Sequence, residues 1–190
     1  MQPEGKLIII CAPSGSGKTS ILQAVLPDFP ELEFSVSACS RPPRKGEIHG
    51  KDYYFFSPEE FQNKVERNEF IEWEEVYPGS FYGTLYAELE RIWRLKKHVV
   101  LDLDVLGGVT IMNKYPDYSL SVFIKPPSLQ ELEKRLSERG TETPESLKKR
   151  LSRAEYELGF ADRFDIQVVN DRLSDAVSHT KKAILIFLNP

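Results

Sequence analysis

Four short apolar runs, rich in β-branched residues, recur along the chain and predict buried β-strands. They are Leu7–Cys11, His98–Leu103, Leu120–Ile124 and Ile166–Val169. Unbroken apolar runs of this length are typical of parallel strands that are covered on both faces. Helical spacing of apolar residues fills most of the intervals, and the alternation predicts an α/β fold with a parallel sheet flanked by helices.

Five helices are predicted between and after these apolar runs. They span Ser20–Leu26, Leu85–Lys97, Leu106–Tyr115, Leu129–Arg139 and Leu173–Leu188. Together with the strands they assign a core to residues 1–36, 85–126 and 157–190. The segments 37–84 and 127–156 interrupt this alternation.

The two interrupting segments have distinct compositions. Residues 37–84 are rich in aromatic and turn residues, with a short helix near Pro58–Arg67, which indicates a small mixed-β insertion. Residues 127–156 are dense in Arg, Lys and Glu at helical spacing, with Gly140 and Pro144 between two helices. With so little apolar surface, this hairpin is not expected to form core. It is either a solvated appendage or a mobile lid over something negative.

Length and composition narrow the class of protein. The 190 residues, 41% of them hydrophobic, suffice for one sizeable core, and the net charge of −4 argues against a protein that coats nucleic acid. Cys11 and Cys39 lack metal-ligand spacing, and no stretch has the pattern of a signal peptide or a membrane span. We expect a cytoplasmic protein without nucleic-acid or membrane partners; monomer and dimer both stay open.

The most informative segment is Ala12–Thr19, which follows the first apolar run directly and precedes the first helix. Gly15 and Gly17 allow backbone N–H groups to converge on an anion, and the helix N-terminus adds its dipole. In such a phosphate loop Lys18 reaches the β- and γ-phosphates, and the Thr19 hydroxyl ligates Mg²⁺. The residues predicted here to bind the polyphosphate, which the family resemblance given below identifies as ATP, are Pro13, Ser14, Gly15, Ser16, Gly17, Lys18, Thr19 and Ser20. Ala12 stands where the motif has Gly, and a glycine-rich turn before an ordinary helix is the alternative.

A carboxylate lies near the end of the second apolar run. Asp102 is the next-to-last residue of that predicted strand, so it is suited to orient the coordination sphere of Mg²⁺, and Asp104 lies two residues further on. A helix cap is the alternative role for such a residue. With the phosphate loop upstream, we favour the metal role for Asp102.

A second anion site is suggested by the insertion. Arg41 and Arg44 flank a rigid Pro-Pro pair, and guanidinium forks suit a phosphate group. Tyr53 and Tyr82 offer hydroxyl donors to the same group. From this segment alone, a basic solvated turn is an equally good interpretation.

Glu72 has an unusual setting between Ile71 and Trp73. A carboxylate that accepts two N–H bonds is complementary to guanine, whose N1–H and N2–H₂ groups lie side by side. Adenine lacks that pair of donors and would leave the site unsatisfied. A simple exposed strand residue is the alternative.

Taken together, these segments resemble the guanylate kinase family over essentially the whole chain. The resemblance rests on APSGSGKTS, SVSACSRPPRKGEIHGKDYYF, FIEWEEVYPGSFYGT, LDLDVLGG, RLSERGTETPESLKKRL and VVND. It implies transfer of the γ-phosphoryl group of ATP to GMP with Mg²⁺, on a P-loop NTPase-type sheet with a GMP-binding insertion and an arginine-bearing helical lid.

The resemblance also implies roles for residues elsewhere in the chain. The GMP-binding set is Ser37, Arg41, Arg44, Glu47, Tyr53, Glu72, Tyr82, Thr84 and Asp104. The residues implied to act on the transferring phosphates are Lys18, Arg41, Arg135, Arg139 and Arg150. Asn170 and Asp171 are expected near the adenine of ATP, and Thr19 with Asp102 near the metal.

The chain departs from the family pattern at two positions. Leu106 stands where the family commonly has Gln, and Arg172 stands where a second Asp often follows Asn-Asp. The segment Val76–Phe81 is slightly longer than in some relatives. Two other functions stay open: a catalytically inactive guanylate-kinase-like interaction module, and a kinase acting on another phosphorylated metabolite.

Overall fold

A computed structural model of the chain describes residues 3–138 and 143–189. The strands are β1 (Leu7–Cys11), β2 (Leu32–Phe34), β3 (Ala38–Cys39), β4 (Tyr54–Phe55), β5 (Phe70–Tyr77), β6 (Ser80–Leu85), β7 (His98–Leu103), β8 (Ser119–Lys125) and β9 (Ile166–Val169). The helices are α1 (Lys18–Val25), α2 (Pro58–Glu66), α3 (Tyr86–Arg94), α4 (Val105–Lys114), α5 (Leu129–Ser137), α6 (Pro144–Leu158) and α7 (Leu173–Leu188).

The larger sheet has five parallel strands in the order β2-β7-β1-β8-β9. Alternate side chains of the central strand β1 enter two different hydrophobic clusters. Leu7 and Ile9 pack with α3 and α4, whereas Ile8 and Ile10 pack with α1 and α7. Both faces of the sheet are therefore covered, which explains why β1 is apolar throughout.

All four strands that the apolar runs predicted are confirmed, with ends that agree within one residue. The edge strand β2 was missed. It has only three residues, and Leu32 alone among them is buried, so it lacks the apolar run that marks the others.

The insertion forms a second, four-stranded sheet in the order β4-β3-β6-β5, with one parallel and two antiparallel pairings. The mixed-β prediction for this segment is confirmed. Phe61 of α2 stacks on Phe70 of β5 at 4.4 Å between ring centroids. Buried Glu88 of α3 joins this sheet to the core because it accepts hydrogen bonds from Val36 N–H and Tyr54 O–H, both at 2.9 Å.

Helices α5 and α6 form the predicted charged hairpin, but the expectation that it contributes no core is wrong. Leu132, Leu136 and Ala154 are buried together in a separate cluster. A Cβ on Gly15 would lie 2.9 Å from atoms of both leucines, so this cluster packs directly against the phosphate loop. Within the two described ranges, no helix is both long and apolar enough to cross a membrane.

Candidate active site

A cleft of about 580 Å³ lies beyond the carboxyl ends of β1 and β7, between the insertion and α6. Sixteen of the predicted site residues line it: Pro13, Ser14, Gly15, Gly17, Lys18, Thr19, Ser20, Ser37, Arg41, Arg44, Tyr53, Glu72, Tyr82, Asp102, Asp104 and Arg150. These residues come from five separate parts of the sequence. The fold thus brings both predicted phosphate sites into one space.

The phosphate loop has the backbone conformation that its glycines allow. Gly15 and Gly17 have φ of 94° and 88°, in the left-handed region, and Gly17 caps α1, which begins at Lys18, two residues before the predicted start. The first N–H groups of α1 therefore lie beside the loop and lack helical partners. This arrangement can bind an anion through backbone groups.

Asn170 holds the loop from below. Its side-chain amide is buried and donates to the backbone carbonyl of Ser16 at 2.7 Å. A Cβ on Gly17 would collide with the same amide, so only glycine fits there. The predicted contact of Asn170 with adenine stays a prediction, and neighbouring Asp171 is exposed.

Lys18 is held inside the cleft by two oxygen atoms. It forms an ion pair with Asp102 and donates to the carbonyl of Leu103 at 3.0 Å. Burial by itself lowers the pKa of this ammonium group, but the Asp102 carboxylate more than offsets burial, and the pKa is raised. Lys18 is therefore charged and available to a phosphate oxygen.

The exposed Thr19 hydroxyl and the Asp102 carboxylate line the same cleft. Both are hard oxygen donors, which Mg²⁺ prefers. No group of three or more His, Cys, Asp or Glu residues that could hold a metal occurs in residues 3–138 and 143–189. The donors present fit an ion that is carried largely by water and substrate phosphates, as is usual for Mg²⁺.

The acceptor side of the cleft is organised around Arg41. Its guanidinium binds the Glu47 carboxylate in a bidentate pair at 2.6 and 2.7 Å and donates to the Tyr82 hydroxyl at 3.2 Å. Hydrogen bonding from Arg41 lowers the pKa of Glu47 to about 2. Arg44 donates its backbone N–H to the same carboxylate at 2.7 Å. Glu47 does not line the cleft, but it holds in place the Arg41 guanidinium, which does.

Glu72 lies deeper in the same half of the cleft. It is 7% exposed and accepts a hydrogen bond from the buried Thr84 hydroxyl at 2.6 Å. Burial raises the pKa of Glu72 to about 7, although the Thr84 bond opposes the shift. A Cβ on Gly107 would lie 2.6 Å from Glu72 Oε2, so the absence of a side chain there leaves room for this carboxylate.

Asp104 lies near Glu72, because both carboxylates border the space that a Cβ on Gly107 would occupy. It caps α4 by accepting the Gly107 N–H at 2.9 Å, and it also lines the cleft. The helix-cap alternative that was considered for Asp102 therefore applies to Asp104 instead. An exposed position for Glu72, the alternative considered from sequence, is wrong.

The predicted lid arginines are placed differently from one another. Arg150 lines the cleft and donates to the Ser14 hydroxyl at 3.2 Å. Arg135 lies to one side, where it pairs with Glu131 at 2.9 Å and donates to the carbonyl of Asn170 at 3.1 Å. Arg139 lies outside the described residues.

Among the cleft residues that sequence reasoning missed, two charged ones belong to α6. Arg153 and Glu157 of α6 both line the cleft, and they form an ion pair at 2.8 Å. An Arg and a Glu four residues apart are typical of an exposed helix face, so the sequence carries no signal that this pair lies in the cleft.

A parallel sheet whose central strand ends in a glycine loop, followed by Lys-Thr at a helix start, defines a nucleotide-binding protein of the P-loop class. The family model described as guanylate kinase matches residues 4–185. The chain belongs to the guanylate kinase family.

Individual relatives agree with this assignment. A guanylate kinase of Porphyromonas gingivalis is 49% identical over 96% of this chain and 98% of its own length. One of Bacteroides fragilis is 49% identical over 97% of this chain and 91% of its own length. The crystal structure of guanylate kinase from Anaplasma phagocytophilum has a TM-score of 0.77 at 27% identity, and the match covers 100% of this chain and 89% of that one.

Proposed function

We propose that this protein transfers the γ-phosphoryl group of ATP to GMP and releases ADP and GDP. The observation that carries the proposal is that the phosphate loop with Lys18 shares one cleft with Arg41 and with Glu72, whose carboxylate accepts a hydrogen bond from buried Thr84. Family membership supports the same reaction. An inactive interaction module has no need of this arrangement, and no observation favours it.

At the donor end, the loop N–H groups and Lys18 bind the triphosphate. Thr19 and Asp102 would hold Mg²⁺, which would supply positive charge to the phosphate groups. Asn170 keeps the loop in shape from below. Asn170 and Asp171 are also proposed to lie near the adenine of ATP, because Asn170 contacts the phosphate loop.

At the acceptor end, the GMP phosphate is bound by a set of donors around Arg41. The proposed set is Ser37, Arg41, Arg44, Tyr53 and Tyr82, and Glu47 holds Arg41 in place. Glu72 accepts guanine N1–H and N2–H, and Thr84 and Asp104 complete the base site. The insertion at 37–84 then serves as the GMP-binding unit.

Phosphoryl transfer requires alignment and positive charge rather than a strong base. The GMP phosphate is itself the nucleophile and is ionised at neutral pH. Two anions must approach each other, and Lys18, Arg41 and Arg150 offset their repulsion. The segment 127–156 is proposed to act as the lid, to which Arg135 and Arg139 also belong.

Other parts of the proposal concern the cell. Both cysteines are free and buried, as is usual in a reducing compartment, which supports the cytoplasm as the proposed location. The substrates are small nucleotides; nucleic acid and membrane are not proposed as partners.

The test is a panel of nucleoside monophosphates, each mixed with ATP and Mg²⁺, with ADP release as the readout. We expect release with GMP and little with AMP, CMP or UMP. Release with none of them would contradict the proposal and favour the interaction module. Preference for another phosphorylated acceptor would identify the sister kinase instead.

Two variants localise the activity to the cleft. Lys18→Ala and Arg41→Met are each expected to remain folded and to lose at least ~10³-fold in kcat/KM, since each removes a charge that stabilises the transferring phosphate. Lys148→Gln removes a positive charge from the exposed face of α6 and serves as the matched control. Wild-type turnover in either cleft variant would contradict the assigned roles.

A further inference from the structure

Helix α6 contacts both sides of the cleft through two side chains. Arg150 reaches the phosphate loop at Ser14, and Arg153 donates from Nη1 to the backbone carbonyl of Val76 in β5. Residues three apart lie on the same side of a helix. One helix face therefore touches the predicted donor site and the acceptor insertion at once.

The guanidinium of Arg153 is fixed at its other edge. Its Nε donates to Glu157 Oε1 at 2.8 Å, and the Glu157 side chain is only 8% exposed. Since an unpaired carboxylate at this depth is costly, Glu157 stays paired with Arg153. The flat guanidinium can then serve a carboxylate and a carbonyl together, which a lysine ammonium does less well.

The contact to Val76 joins two segments that are far apart in the sequence. Val76 is in the strand that also carries Glu72 and Glu74, and burial and Asp104 raise the pKa of Glu74 while Arg153 opposes that rise. The Arg153–Val76 contact therefore links α6 directly to the strand that holds the proposed base-reading carboxylate.

We propose that Arg153 is a positioning residue that couples the lid to the insertion, so that nucleotide binding at one end of the cleft strengthens binding at the other. This inference rests on the proposed function. The residue contacts neither reacting group; it acts through the backbone of β5 and through Glu157. Because coupling between sites is reciprocal, ATP and GMP must raise each other's affinity by the same factor.

The test measures that factor by calorimetry. GMP is titrated into the whole protein with and without a saturating non-hydrolysable ATP analogue and Mg²⁺, and the analogue is titrated with and without GMP. We expect a wild-type coupling factor in the range of about 5–150. Arg153→Gln is expected to bring this factor close to one, with each ligand alone bound within about threefold of wild type.

Two further variants make the result specific. Arg153→Lys keeps the positive charge but loses the planar guanidinium, so we expect an intermediate coupling factor. Lys148→Gln changes an exposed residue of the same helix and is expected to keep the wild-type coupling factor. Circular dichroism melting checks that each variant is folded. Full coupling in Arg153→Gln, or a wild type that binds both ligands without coupling, would overturn the inference alone. A wild type that binds neither ligand would overturn the proposed function as well.

Discussion

Glu72 shows how one side chain can combine burial with a charge that the site needs. Burial opposes ionisation, and only the Thr84 hydroxyl is bonded to the carboxylate among the described side chains. Two guanine N–H donors would supply the missing partners and favour the ionised form. Binding of GMP should therefore expel a proton from Glu72 wherever that proton is present beforehand.

The corresponding prediction concerns pH. The pKa of Glu72 is about 7, so at lower pH the carboxyl is mostly protonated in the free protein. GMP binding must then ionise it, which lowers the observed affinity. GMP affinity is expected to fall roughly tenfold as pH falls from 8 to 6 through this group. Calorimetric titration at both pH values measures it.

The control for this prediction is Glu72→Gln, which cannot ionise. Since the GMP phosphate also titrates in this range, its contribution is common to both proteins and cancels in the comparison. The variant is expected to bind GMP weakly and to lose the additional pH dependence. Equal pH slopes in the two proteins would exclude Glu72 as the source.

Helix α5 packs directly against the phosphate loop. Leu132 and Leu136 are fully buried and contact Gly15 through the space that a Cβ would occupy. The loop is therefore held from two directions, by Asn170 below and by α5 at the side. A change in α5 should affect ATP more than GMP.

We predict that Leu136→Ala lowers the free energy of unfolding by about 2–5 kcal/mol because it leaves a cavity at a fully buried site. KM for ATP is expected to rise more than KM for GMP. Urea unfolding and steady-state kinetics measure the two effects. Leu185→Ala, at a position 55% exposed on α7, is the control and should change stability by less than about 0.5 kcal/mol. A rise in KM for GMP alone would contradict this coupling of α5 to the loop.

At the scale of the whole molecule, one cleft contains both proposed nucleotide sites. A ligand that binds only the folded state stabilises it by about 2.7 kcal/mol at a hundred times its dissociation constant. Each nucleotide should therefore raise Tm independently of turnover.

We predict that an ATP analogue with Mg²⁺ and GMP each raise the Tm of the wild-type protein. Lys18→Ala should lose the rise caused by the ATP analogue and keep that caused by GMP, whereas Arg41→Met should show the reverse. Differential scanning fluorimetry measures both. A variant that lost both responses while folded would mean that the two pockets are not separate.

Local signals in the sequence predicted the parallel strands, the loop before α1 and the mixed-β insertion, because each of these patterns lies within one continuous segment of the chain. The contacts of Asn170 with Ser16 and of Arg153 with Val76 could not be predicted this way, since they join residues 154 and 77 positions apart. The small core of α5 and α6 was hidden by the charges around Leu132 and Leu136. Strand β2 was too short to produce a pattern.

The central position of β1 has a consequence for amide hydrogen exchange. Its backbone amides are bonded to β7 and β8, and its side chains are shielded above and below. Solvent deuterium can reach them only when the entire domain opens, so they should be among the slowest to exchange. Emptying and refilling of the cleft therefore takes place at the carboxyl end of a strand that stays closed, and, because a bound nucleotide stabilises the folded state, exchange at β1 should be slower still in the loaded protein.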